Sequence, residues 1–172
     1  MGITPTSIYT AFGDKKALFL EAVRFYLSGP VNSESIIASA PTAKNAARQL
    51  LQAAIIGFIG IDTPPGCLLA SAAISCSAAA SDAQQALAAI RHKIESQLAA
   101  KLLAAVASGE LPKDTDADAL TGHVIAVIQG LSTLARDGAT QEKLARVDAA
   151  ALPAWPDKTQ RQFYYSQITT YK

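Results

Sequence analysis

Several hydrogen-bonding side chains lie close together near the start of the chain. Thr4, Pro5 and Thr6 open a short helical pattern, because threonine is a favoured N-cap and proline is tolerated at the first helical position. Tyr9 and Thr10 follow within the same two turns. A short helix with small polar residues at its N-terminus is the form that enters the major groove of DNA. Threonine can contact base edges there, or a thymine methyl group.

The patterns typical of enzymes and metal centres do not occur in the sequence. There is no serine elbow flanked by glycines, no glycine loop that could cradle a phosphate and no histidine pair at metal-ligand spacing. Cys67 and Cys76 are nine residues apart, which puts them on opposite faces of one helix, so buried reduced thiols are the simplest interpretation. We therefore predict a protein that is not an enzyme and that has no cofactor and no metal.

Composition favours a helical protein. The chain has 172 residues with a formal net charge of +1, and it contains 35 alanines but only 11 aromatic residues. Alanine has the highest helix propensity, so the sequence predicts one compact all-α bundle. No secretory signal opens the chain, and the longest uncharged stretch carries Pro64 and Pro65, which makes it a poor membrane span. We expect a cytoplasmic location and no membrane partner.

Glycines, prolines and capping residues divide the chain into helices. After the short N-terminal helix, further helices are predicted over residues 15–27, 43–61, 67–80, 81–108, 116–136 and 141–152, with a short helix or loop over 33–42. Residues 157–172 change character, since four aromatic residues lie among Gln, Ser and Thr. This atypical tail is predicted to be either a non-native extension or a native arm.

The segment from Gly2 to Phe19 resembles the end of the TetR-family DNA-binding domain. The family has a Gly-hydrophobic-Ser/Thr turn, a Leu/Ile-Tyr-x-x-Phe core in its recognition helix and a Gly-Ser/Asn/Asp-Lys-x-x-Leu start of the next helix, and each position is matched here. The resemblance implies that Thr4, Pro5, Thr6, Tyr9, Thr10 and Lys15 contact DNA. Tyr9 and Lys15 would bind phosphates and the threonines would face base edges.

The resemblance also implies a domain organisation and a function. Residues 1–28 would be the remnant of a helix-turn-helix domain, and residues 29–156 a helical ligand-binding and dimerisation domain. Such a protein is a dimeric, ligand-responsive repressor of transcription. The two preceding helices of the family domain are not in the sequence, and residues 1–27 carry a net charge of only +1. We therefore expect the 172-residue chain to bind operator DNA weakly or not at all, whereas the complete protein binds it as a homodimer. The alternative is a helical ligand-binding and dimerisation module that does not bind DNA in this form.

Small residues spaced by four predict the dimer face. Gly122, Ala126 and Gly130 leave room for close helix approach along the segment 116–136. Val127, Leu131 and Leu134 are candidates for the same interface, and intrachain core is the equally weighted alternative. The resemblance implies an effector pocket, for which Phe58 and Cys67 are candidate lining residues, although core filling explains each more simply. The few polar groups nearby favour an apolar small-molecule effector.

Overall fold

The protein, described by a computed structural model, is helical over the residues that the structure describes, which are 2, 4–29, 32–60, 63–71, 81–151, 153, 155 and 156. Its helices are α1 (Pro5–Phe12), α2 (Lys15–Leu27), α3 (Ser33–Ser39), α4 (Ala43–Phe58), α5 (Leu68–Ser71), α6 (Ser81–Ser108), α7 (Ala117–Arg136) and α8 (Gln141–Ala151). These ranges contain no strand, which confirms the predicted all-α fold. Within them, no helix combines the length and the hydrophobicity needed to cross a membrane.

Side-chain caps set the starts of six helices, among them α8, where the Thr140 hydroxyl oxygen accepts from the Lys143 N–H at 3.2 Å. Thr4, Asp14, Asn32, Thr42 and Asp116 each adopt extended backbone angles and accept a hydrogen bond from the backbone N–H three residues further on. This satisfies one of the N–H groups that a helix start leaves without an intrahelical partner. The predicted limits of α1, α2 and α7 are confirmed, and the segment 33–42 forms a short helix.

The connection after α4 differs from the sequence prediction. The helix ends at Phe58 instead of continuing to residue 61, and the Gly66 N–H donates to the Phe58 carbonyl at 3.0 Å, which folds the chain back. Of the helix predicted over residues 67–80, the structure describes Leu68–Ser71. Ile61 and Cys76 lie outside the described residues, so the opposite-face prediction for the two cysteines stays a prediction. Residues 157–172 also lie outside them, and so does the predicted tail.

The core lies between α4, α6 and α7. One cluster joins these helices to α3 and to Trp155, a second joins α4 and α7 to α8, and a third joins α2, α5 and α6. The predicted apolar stripe of α6 is buried at Leu87, Leu98 and Leu102. Because α1 packs on α2, and α2 packs on α6, the N-terminal helix pair is attached to one side of the bundle.

Candidate functional site

The predicted DNA-contacting residues lie on α1 and at the start of α2. Thr4 caps α1, where its hydroxyl oxygen accepts from the Ser7 N–H at 3.3 Å, and Pro5 is the first helical residue. Gly13 ends the helix with φ +87°, a conformation that side chains disfavour. Asp14 then caps α2 by accepting from the Ala17 N–H at 2.7 Å. The two caps and the glycine therefore fix the angle between the two short helices.

The polar side chains of this helix pair face solvent. Thr6, Thr10 and Lys15 are exposed, and Tyr9 is 44% exposed. The Thr10 hydroxyl donates to the Thr6 carbonyl at 2.8 Å, which leaves its methyl group and oxygen lone pairs free for contact. This arrangement offers small polar and apolar groups to a base edge, and a phenol and an ammonium group to phosphates.

The apolar side of α1 is only partly covered. Ile8 and Phe12, four residues apart, are expected from their spacing to face a core. Ile8 is half-buried, but Phe12 keeps 43% of its surface exposed. The described residues thus give α1 one packing surface, on α2, and leave part of the Phe12 ring in contact with water.

The charge available to DNA is small. Helix α1 has no charged residue, and Arg24 on α2 forms an ion pair with Glu21 at 2.6 Å. Lys15 and Lys16 are the remaining cations of α2. Because phosphate contacts supply most of the affinity of DNA-binding proteins, this pair of helices is a weak electrostatic footprint on its own.

A cavity of about 320 Å³ lies at the C-terminal end of α2, where Tyr26 and Leu27 line it. Phe58 and Cys67, the two candidate lining residues, both line it. The sequence predicts walls from the segments 43–61, 67–80 and 81–108, and the structure adds α2, α3 and α7 to them. Among the described residues, no three His, Cys, Asp or Glu side chains gather closely enough to hold a metal ion. The described lining of the cavity combines apolar side chains with the polar groups of Tyr26, Asn32, Ser33 and Gln129.

Tyr26 and Cys67 connect the cavity to the N-terminal helices. The Tyr26 hydroxyl donates to the Cys67 Sγ at 3.6 Å, and both residues line the cavity. Burial raises the pKa of the Tyr26 phenol well above its ordinary value, and the neighbouring Cys67 thiol raises it further. The phenol therefore stays protonated and keeps its role as a hydrogen-bond donor at neutral pH.

Sequence reasoning misses Arg91, the charged residue in the cavity wall. Its guanidinium donates to the Leu69 carbonyl at 2.8 Å and lines the cavity. Arg91 follows Leu87 by four residues and precedes Ile94 by three, so it occupies a position in the apolar stripe of α6. An arginine at such a position is the signal that could have identified it.

The predicted dimer residues divide between two sides of α7. Ala126 and Gly130 are exposed, and an added Cβ at Gly122 or Gly130 would meet no atom within 4 Å. Leu131 is fully buried at 0% exposure, and Val127 and Leu134 pack on the same core cluster. The assignment of Leu131 to a dimer face is therefore corrected, because this side chain fills the core between α4, α7 and α8.

Known proteins resemble this chain along most of its length. Residues 46–151 match a family model described as the tetracyclin repressor-like, C-terminal domain. The chain is also similar to the HTH-type transcriptional repressor ComR of Escherichia coli (strain K12). The two sequences are 26% identical over 158 residues, which cover 91% of this chain and 75% of ComR.

Two solved structures share the fold and a higher sequence identity. Both are cysteine mutants of the TetR family transcriptional regulator CifR in complex with 26-base-pair operator DNA. They match with a TM-score of 0.81 and with 33% and 32% identity, over 90% of this chain and 81% of CifR. These structures match 90% of this chain, which is a longer part of it than residues 46–151, the part that the family model matches.

Proposed function

Since the chain belongs to the TetR family of transcriptional regulators, we propose that it is a ligand-responsive repressor that acts as a homodimer. In this proposal α1 is the recognition helix and residues 1–28 contact the operator. Residues 29–156 bind the effector and form the dimer. The observation that carries the proposal is the solvent-facing polar surface of α1, set at a fixed angle to α2 by the Thr4 and Asp14 caps.

The DNA contact divides into two kinds. Thr6 and Thr10 are exposed on α1 and contact base edges, while Tyr9 and Lys15 contact phosphates. Phosphate contacts position a helix in the groove and base contacts give it specificity. The operator-bound state of CifR, which shares 33% identity with this chain, supports the assignment.

The effector response passes through the cavity wall. A ligand in the cavity touches Tyr26 on α2 and Cys67 next to α5, and it changes the position of α2 relative to the bundle. Since α1 packs on α2, the separation of the two recognition helices in a dimer changes with it. A few kcal/mol of preference for the non-binding geometry suffices to release DNA.

The role is regulatory and not catalytic. ComR and CifR are named as a transcriptional repressor and a transcriptional regulator, and this supports a non-enzymatic function for the chain. A cytoplasmic location follows from contact with operator DNA.

One observation favours a second candidate function. Phe12 is 43% exposed and Arg24 is paired with Glu21, so the helix pair α1–α2 has an incompletely covered apolar side and few cations. The second candidate is therefore a helical ligand-binding and dimerisation module that does not contact DNA. The two candidates differ in sequence-selective DNA binding and agree in everything else.

Repeated selection from a random duplex library by the 172-residue chain separates the two candidates. The repressor enriches a motif with two-fold symmetry, with weak affinity because few cations face the DNA. The Thr6→Ala variant enriches a degenerate motif at the contacted positions, and Thr133→Ala, an exposed threonine on α7, enriches the wild-type motif. If no motif is enriched while the chain sediments as a dimer, the 172-residue chain is a ligand-binding and dimerisation module that does not contact DNA in this form.

A further inference from the structure

The cavity beside Tyr26 has an unusual balance of charge. Its lining includes one charged side chain, Arg91, and no carboxylate among the described residues. A neighbouring cavity of about 360 Å³ shares Arg91 and Gln129 with it and adds Arg136, again with no acidic residue in its described lining. The two cavities therefore surround two guanidinium groups with neutral walls.

The Arg91 guanidinium is only partly satisfied by the described residues. Among them it donates one hydrogen bond, to the Leu69 carbonyl at 2.8 Å, out of the several N–H donors that a guanidinium carries. None of the ion pairs among the described residues involves Arg91 or Arg136. Arg91 is only partly exposed, so solvent compensates its charge incompletely. The Leu69 bond holds the group in the wall with its other donors available.

Besides Arg91 and the polar side chains Tyr26, Asn32, Ser33, Cys67 and Gln129, the described lining of the cavity is apolar. Leu50, Ala54, Phe58, Ile94, Ile125 and Ile128 contribute its walls from α4, α6 and α7. A volume of about 320 Å³ is at the lower end of the range for small-molecule sites, roughly 300–1,000 Å³. The ligand that fits has a compact apolar body and one polar group at the end that meets Arg91.

We propose that the effector is a small monocarboxylate with an apolar body, whose carboxylate pairs with the Arg91 guanidinium while Gln129 lies alongside. Arginine is suited to this role because its planar donors match the two carboxylate oxygens. A cation is disfavoured at the same place by the positive charge of Arg91, since the described lining residues include no carboxylate. The inference rests on the proposed effector cavity, and it names the chemistry of the ligand.

Calorimetric titration of the 172-residue chain tests the inference. The probes are octanoate and benzoate, with octanamide and octylammonium as matched neutral and cationic probes. Octanoate is expected to bind at least about tenfold more tightly than octanamide, and octylammonium more weakly than both. Equal affinity for octanoate and octanamide would contradict the proposed carboxylate recognition. So would a lack of binding by octanoate and benzoate up to their solubility limits.

Two variants locate the binding site. Arg91→Gln lowers the affinity for octanoate at least about tenfold and leaves that for octanamide unchanged. Arg24→Gln, at an exposed arginine outside the cavity, changes neither. Ala53→Leu fills part of the cavity and lowers the affinity for both octanoate and octanamide. Circular dichroism confirms that each variant is folded. Unchanged octanoate affinity in folded Arg91→Gln overturns the inference.

The inference and the proposed function fail in different ways. If octanoate and octanamide bind with equal affinity and Ala53→Leu lowers both affinities, the cavity is an effector site and only the recognition of a carboxylate is wrong. If Ala53→Leu leaves octanoate binding unchanged, the ligand lies elsewhere and the inference is wrong. Enrichment of a DNA motif tests the repressor independently of both results.

Discussion

The backbone N–H of Cys67 donates a hydrogen bond to the Ser132 hydroxyl oxygen at 2.8 Å. Cys67 lines the cavity and accepts from Tyr26 of α2, while Ser132 is 2% exposed on α7. Cys67 is therefore in contact with α2, which carries the proposed phosphate contact Lys15, and with α7, which carries the proposed dimer face. This places the cavity wall where a ligand can affect both.

Ser132→Ala is expected to destabilise the protein. The substitution leaves the part-buried Cys67 N–H without its acceptor, which costs about 1–3 kcal/mol. Ser108→Ala serves as the control, because its exposed hydroxyl donates only to the Ala105 carbonyl of its own helix, and it changes stability by less than about 0.5 kcal/mol. Urea denaturation measures both, and equal stabilities would show that the Cys67–Ser132 bond contributes nothing.

Gly66→Ala is expected to destabilise more than Gly138→Ala. Both glycines have positive φ, +91° and +84°, so both substitutions have the same backbone strain. At Gly66 the added Cβ would also lie 2.6 Å from the Arg136 Cγ and 3.0 Å from the Ser132 carbonyl oxygen, whereas at Gly138 it meets nothing within 4 Å. The excess loss should be about 1 kcal/mol or more in thermal or chemical unfolding. Equal losses would mean that the turn moves freely away from α7.

Asp148→Asn is expected to stabilise the protein at neutral pH. Asp148 is 9% exposed, and its Oδ1 has no hydrogen-bond partner among the residues that the structure describes. Burial raises the pKa of its carboxyl group, and Arg48 offsets this only in part. A raised pKa means that the folded state holds the proton of Asp148 more tightly than the unfolded state does. The stability that depends on this proton is present at low pH and is lost as the pH rises through the folded pKa. Removing the charge should add up to about 1 kcal/mol at pH 7.

The pH dependence provides the check for Asp148. The advantage of Asp148→Asn should shrink as the pH falls through the raised folded pKa, and it should be absent below the ordinary carboxyl pKa of 3.8, where both proteins are neutral at this position. Asp118→Asn is the control of opposite sign, since exposed Asp118 lies in the first turn of α7 and interacts favourably with the helix dipole. An advantage that stays constant with pH would exclude ionisation as its cause.

Ala126→Glu is expected to dissociate the proposed dimer. Ala126 is exposed beside Gly122 and Gly130, so the longer side chain fits within one chain but would bring unpaired charges into a close helix interface. The dimer dissociation constant should rise at least about 100-fold. Ala104→Glu, at an exposed alanine of α6, leaves it unchanged. If the Ala126→Glu variant still sediments at the dimer mass, this face of α7 is not part of the dimer interface.

Local chemistry made the helices predictable from the sequence. Thr4, Asp14 and Asp116 are caps that act through backbone groups three residues away, so their effect does not depend on the rest of the fold. The predicted end of α4 was wrong, because the observed end depends on a backbone hydrogen bond from Gly66 to Phe58, eight residues apart across a turn.

Tertiary packing decided what the sequence left open. Helical periodicity places Leu131 in an apolar stripe, but two apolar partners, an intrachain core and a second copy, produce the same stripe. Packing on α4 and α8 assigns it to the core. Arg91 was missed for the converse reason, since its role depends on a cavity formed by six helices that no single segment reveals.

The ratio of affinities for a selected duplex and for its base-shuffled counterpart tests the central claim most directly. The account predicts that wild-type chain prefers the selected duplex, that Thr6→Ala reduces this ratio, and that Thr133→Ala preserves it. Lys15→Ala should weaken binding to both duplexes equally and reduce the salt slope by about one unit. Equal affinity of the wild-type chain for the two duplexes, or a ratio unaffected by Thr6→Ala, would contradict DNA recognition by α1.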